Sequence, residues 1–184
     1  MGCKFCASTL LGLKRNLTVN EMFAQILVAQ WELRGDRLRD IHPNGDANNG
    51  DVSHIVVMGT GEPLQNTENV IGFLERANSE LNISWRRITV STCGIVPGIE
   101  ELNKWGRPIN LAISLHAPDD ELRSKIMPIN NIYKLHEVLD AAFAFSTTHN
   151  RQLMIEYILL GKKDKDGSVA LYNATEEYAL KLVE

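Results

Sequence analysis

Only three cysteines, Cys3, Cys6 and Cys93, occur in 184 residues, and so small and odd a number speaks against a disulfide framework of the secreted kind. The opening residues do not show a basic-then-apolar pattern, so no signal peptide is expected in them, and no uninterrupted apolar run reaches the roughly 20 residues of a membrane helix. The expected setting is therefore the cytoplasm, without a membrane partner. A positive excess is missing too. Lys and Arg number 19 against 23 Asp and Glu, a formal net charge of −4, so the chain as a whole does not attract nucleic acid. An RNA contact would need a local basic patch. Lys14, Arg15, Arg86 and Arg87 are candidates, although two such pairs equally suit a solvated surface. Fixed-period repeats and low-complexity tracts are also absent, and 44% apolar residues suffice for one substantial core.

What is present alternates between two patterns. Thr18 and Glu21 have capping-box spacing, and Met22, Phe23, Ile26, Leu27, Gln30 and Leu33 share one side, which predicts a helix stopping at Gly35. The Asn-, Gly- and Asp-rich stretch 36–51 predicts a surface loop. HIVVMG at 54–59 predicts a strand buried on both faces. Val70, Phe73, Leu74, Ala77 and Leu81 then predict a helix capped by Asn66 or Thr67. A strand at 87–92, a short helix from Pro97 and a strand ending near His116 follow. A helix over 134–150, a strand over 151–160, a polar loop over 161–173 and a final helix over 174–184 complete the series. Such alternation predicts an α/β fold on a parallel sheet, open or closed into a barrel, with ligands at the carboxyl ends of the strands.

Three short motifs follow strands directly: GTGEP at 59–63, STCG at 91–94 and SLHAP at 114–118. In GTGEP two glycines let the backbone approach a ligand while Glu62 accepts from a charged amine. The spacing is not G-x-G-x-x-G, so a dinucleotide site is not indicated. Taken singly, each motif is explained as well by local needs: a tight turn with a solvated glutamate, Ser91 or Thr92 capping the next helix, Ser114 and His116 satisfying a strand end. Their convergence on one face is what points to a ligand. Cys3-Lys4-Phe5-Cys6 brings two thiols to one side of a tight turn. By spacing alone the pair suits a metal or iron–sulfur centre, a redox couple or structural thiols. No second Cys or His pair supports a zinc ribbon, and the next predicted helix waits until Thr18, unlike a thioredoxin-type pair.

The stretches MGCKFCASTLLGLKRNL, VVMGTGEPLQN, ITVSTCGIVPGI and LAISLHAPDDELRSKIMPIN resemble, in this order, the successive motifs of the radical S-adenosylmethionine RNA methyltransferases of the RlmN/Cfr family. The likeness covers nearly all of residues 1–160. It implies a parallel-stranded, partial (β/α)6 radical SAM barrel, incomplete in this chain, with residues 1–184 in one core domain. It implies a 4Fe-4S cluster and S-adenosylmethionine as cofactors. Cys3 and Cys6 match the last two cysteines of the family's C-x-x-x-C-x-x-C cluster loop, and Phe5 matches its aromatic position. Gly61 and Glu62 match the pair at the methionine end of S-adenosylmethionine. Ser91 and the run Ser114, Leu115 and His116 match its other cofactor contacts. Three thiolates on three irons leave a fourth iron open to the amino and carboxylate groups of the cofactor. The implied reaction methylates C2 of an adenine in 23S rRNA and, as this family can, tRNA, through a methyl-cysteine intermediate, with an electron donor such as flavodoxin. The C8-methylating branch shares these motifs. A non-enzymatic iron–sulfur or RNA-binding module is the alternative from another class.

By the same resemblance, the first cluster cysteine falls two residues before Met1. The first barrel strand, the RNA-binding N-terminal region and one catalytic cysteine are expected upstream. The last strand, a further cofactor contact and the methyl-carrying cysteine are expected downstream. No catalytic residue is therefore expected among these 184 residues, and the chain alone is expected to be inactive. Cys93 fits a small-residue position of its motif rather than a ligand or methyl carrier. After Leu160 the resemblance weakens and a lengthened loop is expected.

Overall fold

The β-branched, apolar runs form four strands that all pair in parallel. β1 (Ile55–Val57), β2 (Ile88–Thr92), β3 (Asn110–Ser114) and β4 (Met154–Glu156) lie side by side in that order. The computed structural model describes residues 1–34, 52–163, 165 and 169–183. The register sets Val57 beside Val90, Ser91 beside Ala112 and Ser114 beside Glu156. β1 and β4 hold three residues each, fewer than 54–59 and 151–160 suggest. Both are outer strands with one neighbour, so the ladder ends with the overlap on that side. The expected α/β class with a parallel sheet is borne out.

Helices α1 (Val19–Arg34), α2 (Thr67–Leu81), α3 (Val96–Trp105), α4 (Asp120–Ile126), α5 (Leu135–His149) and α6 (Glu176–Lys181) connect and follow the strands. Ile88, Val90, Leu111 and Ile113 of the central strands are buried with Leu74 and Ala77 of α2, Ile99 and Leu102 of α3, and Val138, Ala142 and Phe145 of α5. Each of these side chains larger than alanine contributes about 1.5–3 kcal/mol of transfer free energy. The α1 capping box forms as expected, Thr18 N donating to Glu21 Oε2 at 2.9 Å and Glu21 N to Thr18 Oγ1 at 3.3 Å. Phe23, Ile26 and Gln30 face inward, whereas Leu27 and Leu33, expected with them, are exposed on the flank. Asn66 holds the N-cap position of α2, but its amide donates to Leu17 O at 2.8 Å instead of capping. The Gly35 stop and the 36–51 loop lie outside the described residues. No helix among the described residues is long and apolar enough to cross a membrane.

Two elements depart from the sequence pattern. α4 arises within DDELRSKI, its start fixed by Asp119 Oδ1, which accepts from Leu122 N at 2.9 Å. Seven residues are too few to display a helical period. The polar stretch 161–173 is not simply a loop. It contains an antiparallel hairpin of β5 (Gly161–Lys163) and β6 (Val169–Leu171), paired main chain to main chain and separate from the parallel sheet.

Two glycines shape the motif turns for different reasons. Gly61 has φ +108° in open space, whereas Gly94 has φ +100° and a Cβ there would stand 2.7 Å from Val138 Cγ1. Gly61→Ala should lose only the backbone preference, about 1–2 kcal/mol. Gly94→Ala should lose that plus an overpacking cost, about 2–4 kcal/mol in all. Urea unfolding measures both, and equal losses would remove Val138 from the explanation.

Candidate functional site

The first turn of the chain displaces the acidities of two thiols in opposite directions. Cys6 N donates to Cys3 O at 3.2 Å, closing the turn, and Thr9 Oγ1 donates to the same carbonyl at 3.2 Å. Lys4 N donates to Ile126 O at 2.9 Å, which fastens the turn to the end of α4. Neither cysteine is in a disulfide. Burial, and then the neighbouring Cys6, push the Cys3 thiol above its ordinary range. The Ser8 hydroxyl, 2.8 Å from Cys6 Sγ, draws the Cys6 thiol below its own. Cys3 packs with Cys93, Leu122, Ile126, Met127 and Ile129, and Phe5 and Cys6 lie against that cluster.

The three strand-end motifs meet the same end of the sheet. Glu62 follows β1, and its Oε1 accepts from Leu64 N at 3.0 Å and Thr92 Oγ1 at 2.6 Å. Its Oε2 accepts from Cys93 N at 2.8 Å, so one carboxylate joins the ends of β1 and β2. Burial first, and Glu62 second, drive the Cys93 thiol far above its ordinary range, which keeps it protonated. Ser91 on β2 and Ser114 on β3 donate to the two carboxylate oxygens of Glu156 on β4, each at 3.1 Å. Leu115 N donates to Glu156 O at 3.0 Å.

His116 is the tightest junction. Its φ is +60°, a left-handed conformation that few non-glycine residues adopt. Its Nδ1 accepts from Ile158 N at 3.0 Å, and Phe5 meets the ring edge-on at 4.9 Å, which brings the cysteine turn onto the end of β3. Asn173, without exposed surface, donates to His116 O at 3.0 Å and Ile158 O at 2.7 Å and accepts from Leu160 N at 2.7 Å. Thus the structure gathers Cys3, Cys6, Gly61, Glu62, Ser91, Ser114, Leu115 and His116 at one end of the sheet. Sequence reasoning missed Glu156 and Asn173. Glu156 was detectable as the one charged residue inside the apolar run LMIEYILL. Asn173 carried no such signal. Of the basic candidates, Arg86 and Arg87 precede β2 at its amino end, whereas Arg15, engaged by Glu21 at 2.6 Å, lines the cavity that reaches Gly61 and Glu62. A cavity of about 420 Å³ reaches Gly61 and Glu62 but opens along β1 and α1, away from the serines.

A sequence model described as the Radical SAM superfamily matches residues 1–166. The chain belongs to the radical SAM superfamily. Its relatives include proteins named as probable dual-specificity RNA methyltransferases RlmN. That of Desulforamulus reducens is 47% identical over 92% of this chain and 45% of its own length. That of Carboxydothermus hydrogenoformans is 43% identical over 100% of this chain and 47% of its own. A solved radical SAM methyltransferase from Sphaerobacter thermophilus is 36% identical with a TM-score of 0.79, over 98% of this chain and 48% of that one. The chain thus spans about half the length of the relatives it matches.

Membership of the radical SAM superfamily implies a 4Fe-4S cluster and S-adenosylmethionine as cofactors. The donor set fits them in part. Two unpaired thiols share one turn, and Glu62 offers a carboxylate to a cationic amine. Among the described residues no third Cys, His, Asp or Glu completes a metal-holding group with them.

Burial depresses the His116 imidazole below its ordinary range. The folded state therefore binds fewer protons than the unfolded state as pH falls. The stability contribution is intact above the ordinary histidine pKa of about 6.5 and is lost as pH drops through the lower folded value. Denaturation midpoints of the parent and His116→Asn, compared between pH 7.5 and 5.5, check this: the parent should lose more stability on acidification. Parallel curves would exclude His116 as the source.

Proposed function

We propose that residues 1–184 form part of the cofactor-binding core of an RlmN-type RNA methyltransferase, which methylates C2 of an adenine in 23S rRNA and tRNA in the cytoplasm. The observation that carries this reading is the convergence of the cysteine turn, Glu62 and the Ser91–Glu156–Ser114 group at one sheet end. The RNA and the dual specificity come from the relatives' names. Cys3 and Cys6 would hold two irons of the cluster, with a third thiolate from upstream. Gly61 and Glu62 would take the amino group of S-adenosylmethionine, and Ser91, Ser114, Leu115 and His116 would line the rest of that ligand. When bound, the cluster supplies the electron that makes S-adenosylmethionine a radical source. A donor such as flavodoxin would provide that electron. The methyl-carrying cysteine is expected outside these residues. Cys93 does not fit that role, because its thiol is buried and stays protonated.

The test is anaerobic iron–sulfide reconstitution of a polypeptide extended through the expected upstream cysteine, followed by EPR. A 4Fe-4S signal that shifts on adding S-adenosylmethionine and disappears in Cys3→Ala or Cys6→Ala is expected. A folded, extended protein that binds no iron would return the turn to redox or structural use. Mass spectrometry of methyladenosine isomers from cells expressing the full reading frame should show the C2 isomer. The C8 isomer would instead place the protein in the other branch, and RNA binding without cleavage of S-adenosylmethionine would mark a non-enzymatic module. The 184 residues alone should transfer no methyl group.

A further inference from the structure

Arg123 on α4 has no exposed surface. An ion taken out of water costs several kcal/mol unless its surroundings compensate, yet its hydrogen-bond partners are all neutral. Nη2 donates to Cys93 O at 2.7 Å and Ser114 O at 3.3 Å, Nε to Leu115 O at 3.2 Å, and Nη1 to Asn130 Oδ1 at 2.8 Å. The guanidinium therefore joins the STCG and SLHA turns from below. Its carboxylate neighbour is held one amide away: fully buried Asn130 donates through Nδ2 to Asp120 Oδ1 at 2.8 Å. An aspartate at position 130 would neutralise the cation by direct contact, whereas the amide leaves the charge in place. Cys3 packs in one cluster with Leu122, the neighbour of Arg123 on α4, and with Cys93, whose carbonyl accepts from the guanidinium. The Lys4 N to Ile126 O bond ties the cysteine turn to the same helix.

We propose that Arg123 is a positioning residue with a second, electrostatic effect: it clamps the ends of β2 and β3, and its uncompensated charge makes the cluster on Cys3 and Cys6 easier to reduce. This inference rests on the cluster reading above. In the step concerned, one electron passes from an external one-electron reductant to the cluster, and no bond forms or breaks. A fixed positive charge favours the more negative, reduced form, and a site shielded from water screens it weakly. Asp120 opposes the effect from a distance, and so does Glu62, whose carboxylate accepts from Cys93 N on the other side of the same residue.

The test is the cluster midpoint potential, read by EPR during titration with dithionite, in the extended polypeptide and three variants. Arg123→Gln retains a donor without charge and should make reduction about tenfold less favourable, a fall of about 59 mV for one electron. Arg123→Lys keeps the charge and should stay within about threefold of the parent. Asp120→Asn can still accept from Leu135 N and Asn130 through Oδ1 while losing its negative charge. It should move the potential the other way, about threefold toward easier reduction. A purely structural role predicts no such opposition. Shifts of the same sign in Arg123→Gln and Asp120→Asn, or none in either, would overturn the proposal. If neither Arg123 variant holds iron, the electrostatic part of the proposal falls and Arg123 is left as a clamp alone. A parent that binds no cluster removes the cluster reading itself, whereas a loaded parent with unmoved variants removes only the role of Arg123.

Discussion

A parallel sheet satisfies its main-chain groups only where its strands overlap, and here each pair overlaps for three or four residues. Beyond Val57, Thr92, Ser114 and Glu156 the amide and carbonyl groups must find other partners or water. Buried and half-buried side chains supply many of them. Glu62 accepts from the amides of Leu64 and Cys93, Arg123 donates to the carbonyls of Cys93, Ser114 and Leu115, and Asn173 bridges His116 and Ile158. The polar residues that resemble cofactor contacts thus also hold together the loops on which those contacts stand. Altering one of them changes both local order and ligand chemistry.

The ionised groups at this end are handled differently from those elsewhere. The ion pairs among the described residues, such as Arg15 with Glu21 and Arg76 with Glu80, lie on exposed or part-exposed helix surfaces. Such pairs contribute little to stability. At the strand ends, by contrast, Glu62 and Glu156 meet hydroxyl and amide donors, and Arg123 meets carbonyls and an amide. Neutral partners orient a charge without cancelling it, so the local field remains available to a ligand. Direct pairing would have stabilised the empty fold and removed that field.

Legibility in the sequence followed the length scale of each signal. The central strands, α2 and α5 repeat apolar residues often enough to reveal themselves, and the motif residues were visible because they follow strands. α4 was invisible because seven residues fixed by Asp119 show no period. The β5–β6 hairpin was hidden because its pairing is main chain to main chain in a polar stretch. Leu27 and Leu33 were misplaced because hydrophobicity gives the helix period but not the width of the buried stripe. Arg123 and Asn173 could not be read in advance. Their importance comes from complete burial, a tertiary property, whereas their residue types are ordinary on surfaces.

The hydrogen positions at the sheet end limit what it can recognise. Ser91 and Ser114 each direct their single hydroxyl proton to Glu156, leaving lone pairs on both serines and on the carboxylate. Glu62 likewise presents only acceptors, while Arg123 directs its donors to backbone and Asn130. Apart from the Nε2–H of His116, the side chains named here are therefore rich in acceptors and poor in free donors. That balance suits a molecule bearing an ammonium, a sulfonium and sugar hydroxyls, as S-adenosylmethionine does, and disfavours a phosphate. The carboxylate of such a ligand finds only the Nε2–H of His116, whose Nδ1 already accepts from Ile158 N, and would draw on a cation as well. A cluster iron held at the cysteine turn would provide it, so acceptor-lined strand ends and a metal-bearing turn are complementary halves of one site.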